Sequence, residues 1–443
     1  MARIIVEGRS KTMLDVSLCD KKILLLGGIN TTADLIHLAH RNRVKVGVAD
    51  YNKNTYVKGL ADYVHDVSAV DEDAIVKLFI NEGYDGIISA FNERLGPVVS
   101  RIGDKLQKPV PFTVNQLRMS TNKKYFKQMC IKYGVPVPKE YFITSIKDIR
   151  ESDIDYPVII KPVDGSSSVG VTPCYSAVEL EKGFQKAKRL SKSGDVIVEQ
   201  YLPYDEINLT YIAQNGDIQL AAIHDRYFNT TQKSATKAPD LYIYPSRYTP
   251  LFLQKYNNII LNMLKEIGIK NGSLFIQAII NGDELFCYEA GIRLNGCKTY
   301  QILEYENDFN TFERLMEFAL TGSMGKKTHF NPRFKRWYAT LNVLGQPGAT
   351  IGGFGGIEAL ESYPWLIHIA RRNRVGDTIP EDSAGTLVQD TTRIHLYADT
   401  KEELIERIDK VNELYKIYDL DGNNIILTPH DTQEVLHKLD YCL

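Results

Sequence analysis

At 443 residues the chain has the length of two or three ordinary domains, with enough interior for real hydrophobic cores. Apolar residues at 44% and charged residues at 24% exclude a disordered or fibrous protein. With 53 Lys and Arg against 55 Asp and Glu, the net charge of −2 removes the broad basic surface that non-specific nucleic-acid binding needs.

In chain order, the N-terminal stretch Met1 to Lys11 lacks a signal-peptide core, and no run approaches the roughly 20 apolar residues that span a bilayer. The six cysteines, at 19, 130, 174, 287, 297 and 442, form no CxxC pair. Neither a disulfide framework nor a cysteine zinc site is indicated, and reduced thiols in a cytoplasm are expected. Residues 1–19 are an N-terminal extension without an assigned role. Lys22 to Leu26 is an apolar strand running into Gly27-Gly28, followed by a helix from Thr32 to Arg41 and a second strand, Val44 to Ala49. Further units follow: a helix at Asp71 to Glu82, a strand at Gly86 to Ala90 and a helix at Leu95 to Leu106. Alternating helices and buried, non-alternating strands predict a parallel sheet covered on both faces, over residues 20–115. Gly27 to Thr32 lacks the three-glycine spacing of a dinucleotide loop, so a structural turn is preferred there.

From Tyr156 the texture changes to short strands and hairpins. Asn215-Gly216-Asp217 and Asn281-Gly282-Asp283 supply the positive φ that tight turns need. This predicts an α+β domain over residues 116–330. In the remainder, 331–443, Gly352-Gly353-Phe354-Gly355-Gly356 lacks the lysine and serine of a P-loop and reads as a turn. Thr400 and Glu403 suggest a capping box, and Leu404, Ile408, Val411 and Leu414 form one apolar stripe of the following helix.

The chemistry-bearing residues come in an ordered set. Asn122-Lys123-Lys124 opens a helix; Tyr156 to Pro162 places Lys161 at a strand end, just before the small-residue loop Gly165-Ser166-Ser167-Ser168-Val169-Gly170. Amides and hydroxyls of such a loop can close over phosphates, and an adjacent lysine supplies a point charge. Val198-Glu199-Gln200-Tyr201-Leu202, with Glu206 beyond it, offers a strand end to an adenine edge and a carboxylate to ribose hydroxyls. Last come Phe275-Ile276-Gln277 and Tyr288-Glu289-Ala290-Gly291-Ile292-Arg293-Leu294-Asn295.

This set resembles the ATP-grasp superfamily, in particular its biotin carboxylase and carboxylate-amine ligase branches, which include L-amino-acid ligases and purine-biosynthesis enzymes. The resemblance implies an N-terminal parallel-sheet (pre-ATP-grasp) domain, a central two-lobed ATP-binding domain and a small C-terminal closing domain. It implies that Lys123 and Lys161 hold the ATP phosphates, that Ser166, Ser167 and Ser168 belong to a flap, that Glu199, Tyr201 and Leu202 line the adenine site, and that Glu206 meets the ribose. It further implies Mg²⁺ held by two acidic positions twelve residues apart, with an asparagine and an arginine at the spacing E-x-N-x-R. Here the spacing is kept by Gln277 and Glu289 and the arginine by Arg293, but Gln277 is neutral and Gly291 has no side chain. Asn295 is a replacement oxygen donor by position.

The implied activity is an ATP-dependent ligase joining a carboxylate to an amine or thiol through an acyl phosphate, with Arg293 and Lys161 as catalytic groups. Two alternatives stay open: a catalytically impaired ATP-binding regulatory protein, and ATP-dependent formyl or carboxyl transfer to a small amine. His224, Arg226, Lys233 and Lys237 are substrate-side candidates. Asn92, Glu93 and Arg94, past a strand end, are crevice candidates or ordinary loop polar groups. The nine histidines show no zinc spacing. Expected partners are small-molecule carboxylate and amine substrates, with no nucleic acid or membrane; a homodimer is the family's tendency.

Overall fold

The computed structural model describes residues 18–151, 153–165, 169–228 and 237–440. Strands β1 (Lys22–Leu26), β2 (Lys45–Ala49), β3 (Tyr63–His65) and β4 (Gly86–Ile88) form a parallel sheet in the order β3-β2-β1-β4. Alternate β1 side chains enter different cores. Ile23 and Leu25 pack beside α1 (Ala33–Arg41), whereas Leu24 and Leu26 meet α2 (Glu72–Asn81) and α3 (Leu95–Leu106). Both faces are therefore buried, which is why these strands read as unbroken apolar runs. Leu18, from the end of the expected N-terminal extension, joins the first of these cores. At the β1 turn Gly27 has φ +86°, and the Gly28 amide donates to Asp50 at 2.7 Å. That amide is closed by a carboxylate, as suits a structural turn.

Helices α4 (Val114–Thr121) and α5 (Lys123–Lys132) lead into a small antiparallel sheet of β5 (Glu140–Tyr141), β6 (Val158–Pro162), β7 (Thr172–Cys174) and β8 (Val196–Gln200), in the order β5-β8-β6-β7. The Asn122 side chain caps α5, accepting from the Tyr125 amide at 2.9 Å. The cap fixes where the helix begins, and so which face carries Lys123.

A third sheet contains β9 (Asp205–Gln214), β10 (Asp217–Phe228), β11 (Pro239–Tyr244), β12 (Gly272–Asn281), β13 (Glu284–Gly291), β14 (Trp337–Leu344) and, beyond β15 (Ile351–Gly355), β16 (Leu366–Arg371) and β17 (Asp390–Ala398). Its order is β13-β12-β9-β10-β11-β14-β17-β16, so it runs unbroken across residue 330. One face of its first half packs on α4, α5 and the helices Thr249–Lys255 and Asn257–Ile267. Its second half packs on the helix Lys401–Leu414, whose Leu404, Ile408 and Val411 are buried.

The glycine run at 352–356 departs from expectation. Gly352 to Gly355 lie inside β15, which pairs with β18 (Lys416–Asp419), and a Cβ on Gly352 would lie 2.2 Å from the Asp419 carbonyl oxygen. Close backbone approach, not a turn, demands glycine there. The Thr400 cap is also only half of a box: its hydroxyl accepts from the Glu403 amide, but Glu403 reaches the Asp399 amide instead of that of Thr400. Among the described residues, no helix is long and apolar enough to cross a membrane.

Candidate active site

The site lies where α5, the small sheet and the β9–β13 half of the large sheet face one another. Lys123 and Lys127 stand four residues apart on α5 and so share a face. Lys161 comes from β6 and Glu199 from β8, on the same face of adjacent strands. The Lys161 ammonium is paired with Glu199 Oε2, while Lys127 Nζ lies 2.6 Å from Glu199 Oε1 and 2.9 Å from Glu140 Oε2. Burial alone would raise the Glu199 pKa; the two lysines outweigh it and hold the carboxyl below its usual range.

Lys123 joins three elements. Its Nζ donates to the Gly165 carbonyl at 2.6 Å and stands 3.1 Å from Glu289 Oε1. Burial alone would lower the Lys123 pKa and raise that of Glu289. Their mutual attraction reverses both effects, leaving the lysine above and the carboxyl below their ordinary values. Three ammonium groups thus face three carboxylates, Glu140, Glu199 and Glu289, around one cleft.

Strand register brings a polar row together. Asn208 lies opposite Gln277, which lies opposite Glu289, with His224 opposite Asn208 on the other side. Asn208 is 3% exposed and its Oδ1 has no hydrogen-bond partner. Glu289, Gln277 and Asn208 therefore offer one carboxylate and two amide oxygens, a donor set suited to a hard cation such as Mg²⁺. Gly291 cannot add to it: a Cβ there would lie 2.2 Å from Phe275 Cζ, so the Phe275 ring fills the place a larger side chain would take. Asn295 does not join the set. Its Oδ1 accepts from the Thr299 amide and its Nδ2 donates to Thr210 and Thr299, pinning the loop after β13.

Arg293 lies over the Phe275 ring at 5.0 Å and 3.7 Å from Glu93 Oε2, with its Nε buried and unpartnered. Glu93 Oε1 is likewise unpartnered. Burial raises the Glu93 pKa; Arg293 opposes that rise and Glu289 adds to it. Both residues line a cavity of about 60 Å³ between the N-terminal sheet and β13, whose other walls include Ile87, Val99, Phe112 and Leu117.

The remaining candidates fall in different places. Arg226 pairs with Glu206, opposite it on β9, and donates to the Tyr288 hydroxyl at 2.6 Å, which itself donates to Glu206 at 2.7 Å. The arginine therefore braces the Glu206 carboxylate. His224 is fully buried between the Tyr242 and Tyr244 rings, and its pKa falls far below the usual histidine value through burial. It is a neutral core residue. Tyr201 packs edge-on against Tyr175 at 6.4 Å, Leu202 is buried, and Lys237 is exposed. Ser166, Ser167, Ser168 and Lys233 lie outside the described residues. Lys127, Tyr288 and Asn208 were not singled out by sequence. Four-residue spacing from Lys123 and two-residue alternation from Glu206 were the available signals for two of them.

The ATP-grasp domain family model matches residues 154–301. A formate-dependent phosphoribosylglycinamide formyltransferase from Wolinella succinogenes is 27% identical over 193 residues, covering 42% of this chain and 50% of that protein. The Sulfurisphaera tokodaii protein of the same name is 23% identical over 290 residues, 62% of this chain and 70% of that one. The chain thus spans half the length of the first relative. Among solved structures, the L-amino acid ligase from Bacillus licheniformis superposes with a TM-score of 0.73 at 15% identity, covering 90% of this chain and 99% of that one. At that identity the likeness is one of fold.

Proposed function

We propose that this chain, a member of the ATP-grasp superfamily, is an ATP-dependent ligase that joins a carboxylate to an amine through an acyl phosphate. The observation that carries the reading is the convergence of Lys123 and Lys161, from two lobes, on one cleft beside Glu289, with Arg293 at its substrate end. Phosphoryl transfer asks a protein mainly for alignment and charge neutralisation, which these groups supply.

Lys123 and Lys161 hold the phosphate oxygens of ATP, with Ser166, Ser167 and Ser168 as their cover. Glu199, Tyr201 and Leu202 line the adenine site, and Glu206 takes the ribose. Mg²⁺, when bound, neutralises phosphate charge; Glu289, Gln277 and Asn208 would hold it. The substrate carboxylate oxygen attacks the γ-phosphorus as the bond to the β-phosphate oxygen breaks, releasing ADP. An amine nitrogen then attacks the acyl carbon, loses a proton and expels phosphate. Arg293, a permanently charged planar fork, stabilises the phosphoryl oxygens and the tetrahedral oxyanion. Apolar walls beside Arg293 and Glu93 favour a carboxylate with an apolar side chain over formate or bicarbonate. Such a ligase works in the cytoplasm, with its five described cysteines free, and as a homodimer, which light scattering of the purified chain tests.

A screen for ADP release over amino acids, singly and in pairs, with mass detection of products, tests the activity. Lys161→Ala and Glu289→Ala should each lower turnover by about 10²-fold or more while retaining the wild-type circular dichroism. Unchanged turnover in either variant refutes the assignment.

A further inference from the structure

A further cavity lies against the middle strands of the large sheet. Between β11, β14 and the helix Lys401–Leu414, closed by residues 424–430, is a cavity of about 140 Å³. Leu241, Leu341, Val343, Ile408 and Val411 give it apolar walls. These belong to the core on the opposite face from Asn208 and Gln277, so the cavity is not an extension of the nucleotide cleft.

Its polar end is built by a strand irregularity. The β10–β11 pairing steps from Tyr227 opposite Leu241 to Phe228 opposite Pro239, which leaves Asp240 as the extra residue of a bulge. Bulges re-aim side chains, and this one sets Asp240 Oδ1 3.3 Å from His430 Nδ1. The two side chains are 9% and 7% exposed, yet Asp240 Oδ2 and His430 Nε2 have no partner. In the neutral tautomer that donates Nδ1–H to Asp240, Nε2 is an acceptor. Two buried acceptors therefore meet in a cavity that Lys416, Asn412 and Thr428 line beside the apolar walls, and neither acceptor atom has a donor.

The geometry points to a binding site for a small apolar primary amine: an ammonium group on Asp240 and His430, and an aliphatic body against Leu341, Ile408 and Val411. A strongly hydrated metal ion would leave the apolar walls unused. An engineered apolar cavity of about 150 Å³ accepts benzene, so six to eight heavy atoms fit here. Free aliphatic amines and the amino group of a branched-chain amino acid share this chemistry. His430 also lines the open cleft that holds Glu206 and Arg226, which puts the occupied site one residue from the ribose end of the nucleotide cleft.

Titration of the full chain with isopentylamine and, separately, valine tests the site, by calorimetry and by the NMR shifts of labelled Ile, Leu and Val methyl groups. Saturable binding of either that shifts the Leu341, Ile408 and Val411 methyls supports the site, and the two arms tell a free amine from an amino acid. Asp240→Asn should weaken that binding by about tenfold or more. Absence of binding by both probes in the wild-type chain, showing a cavity that holds water only, overturns the inference. So does equal binding of the neutral isostere isopentanol, or methyl shifts confined to the nucleotide cleft. These wild-type readouts stand even if Asp240→Asn fails to fold.

Discussion

Lys127 ties the nucleotide lobe to the rest of the site, and Lys127→Met removes its ammonium while keeping the stem. The Lys127 side chain is 8% exposed and that of its partner Glu199 is 4% exposed, at 2.6 Å. Removing one member of a buried ion pair leaves an uncompensated charge at a cost of about 3–5 kcal/mol. Glu199 keeps Lys161, and Glu140 is one-fifth exposed, so the lower figure of about 3 kcal/mol applies. For a cooperative unit of about 200 residues that corresponds to a fall of roughly 6–12 °C in the melting midpoint. The effect carries a pH signature. The Glu199 carboxyl is held below its usual value despite burial, so it contributes stability that is present above its unfolded pKa and lost as pH falls through the folded one. Without Lys127 the depression shrinks, and acid unfolding begins at higher pH than in the wild type. Melting curves followed by circular dichroism from neutral to acid pH read both effects, and Lys127→Met/Glu199→Gln should recover part of the loss. A single variant that melts within about 1 °C of wild type, with the same acid limb, refutes the compensation argument.

Gly291→Ala should destabilise by about 1–3 kcal/mol through overlap with the Phe275 ring, and Gly291→Ala/Phe275→Leu should recover most of it; equal melting of wild type and the single variant contradicts the packing. The unpartnered Glu93 Oε1 in the cavity beside Arg293 is placed to accept from a substrate ammonium, so Glu93→Gln raises KM by about tenfold for carboxylates carrying that group and leaves their des-amino analogues unaffected. Equal effects on both series would remove Glu93 from substrate recognition. Burial raises the Asp225 pKa to about 6, so the group contributes stability that is complete below its unfolded pKa and is lost as pH rises through about 6. Against an unfolded value of about 3.9 the loss is roughly 3 kcal/mol. Asp225→Asn should flatten that limb in melts taken between about pH 4 and pH 7, and an unchanged limb rejects the assignment.

The parallel sheet, its helices and the hairpin at Asn215 and Gly216 were legible because each depends on neighbours within a few residues: apolar period, caps and positive-φ turns. Lys123, Lys161, Glu289 and Arg293 were singled out by their order along the chain and by its resemblance to the ATP-grasp set, and the structure brings Lys123 to Glu289 and Lys161 to Glu199. Lys127, the other lysine on Glu199, was not. Lys127 meets a carboxylate 72 residues away, and no local pattern announces that pairing.

Arg226 shows where sequence stops. Counted from the Asn215–Gly216 turn, an unbroken hairpin would set Asp225 opposite Glu206. A one-residue irregularity between Leu220 and Ala222 moves Arg226 there, and the strand's polar faces change places with it. That shift makes Arg226 a brace for the Glu206 carboxylate and buries His224. A second bulge aims Asp240 at His430. The sequence by itself determined the elements and which of them end in charge, because short-range sterics and apolar period suffice for that. Only the tertiary structure decided which charges meet, because a single inserted residue reverses every face beyond it and is settled by packing across the whole sheet.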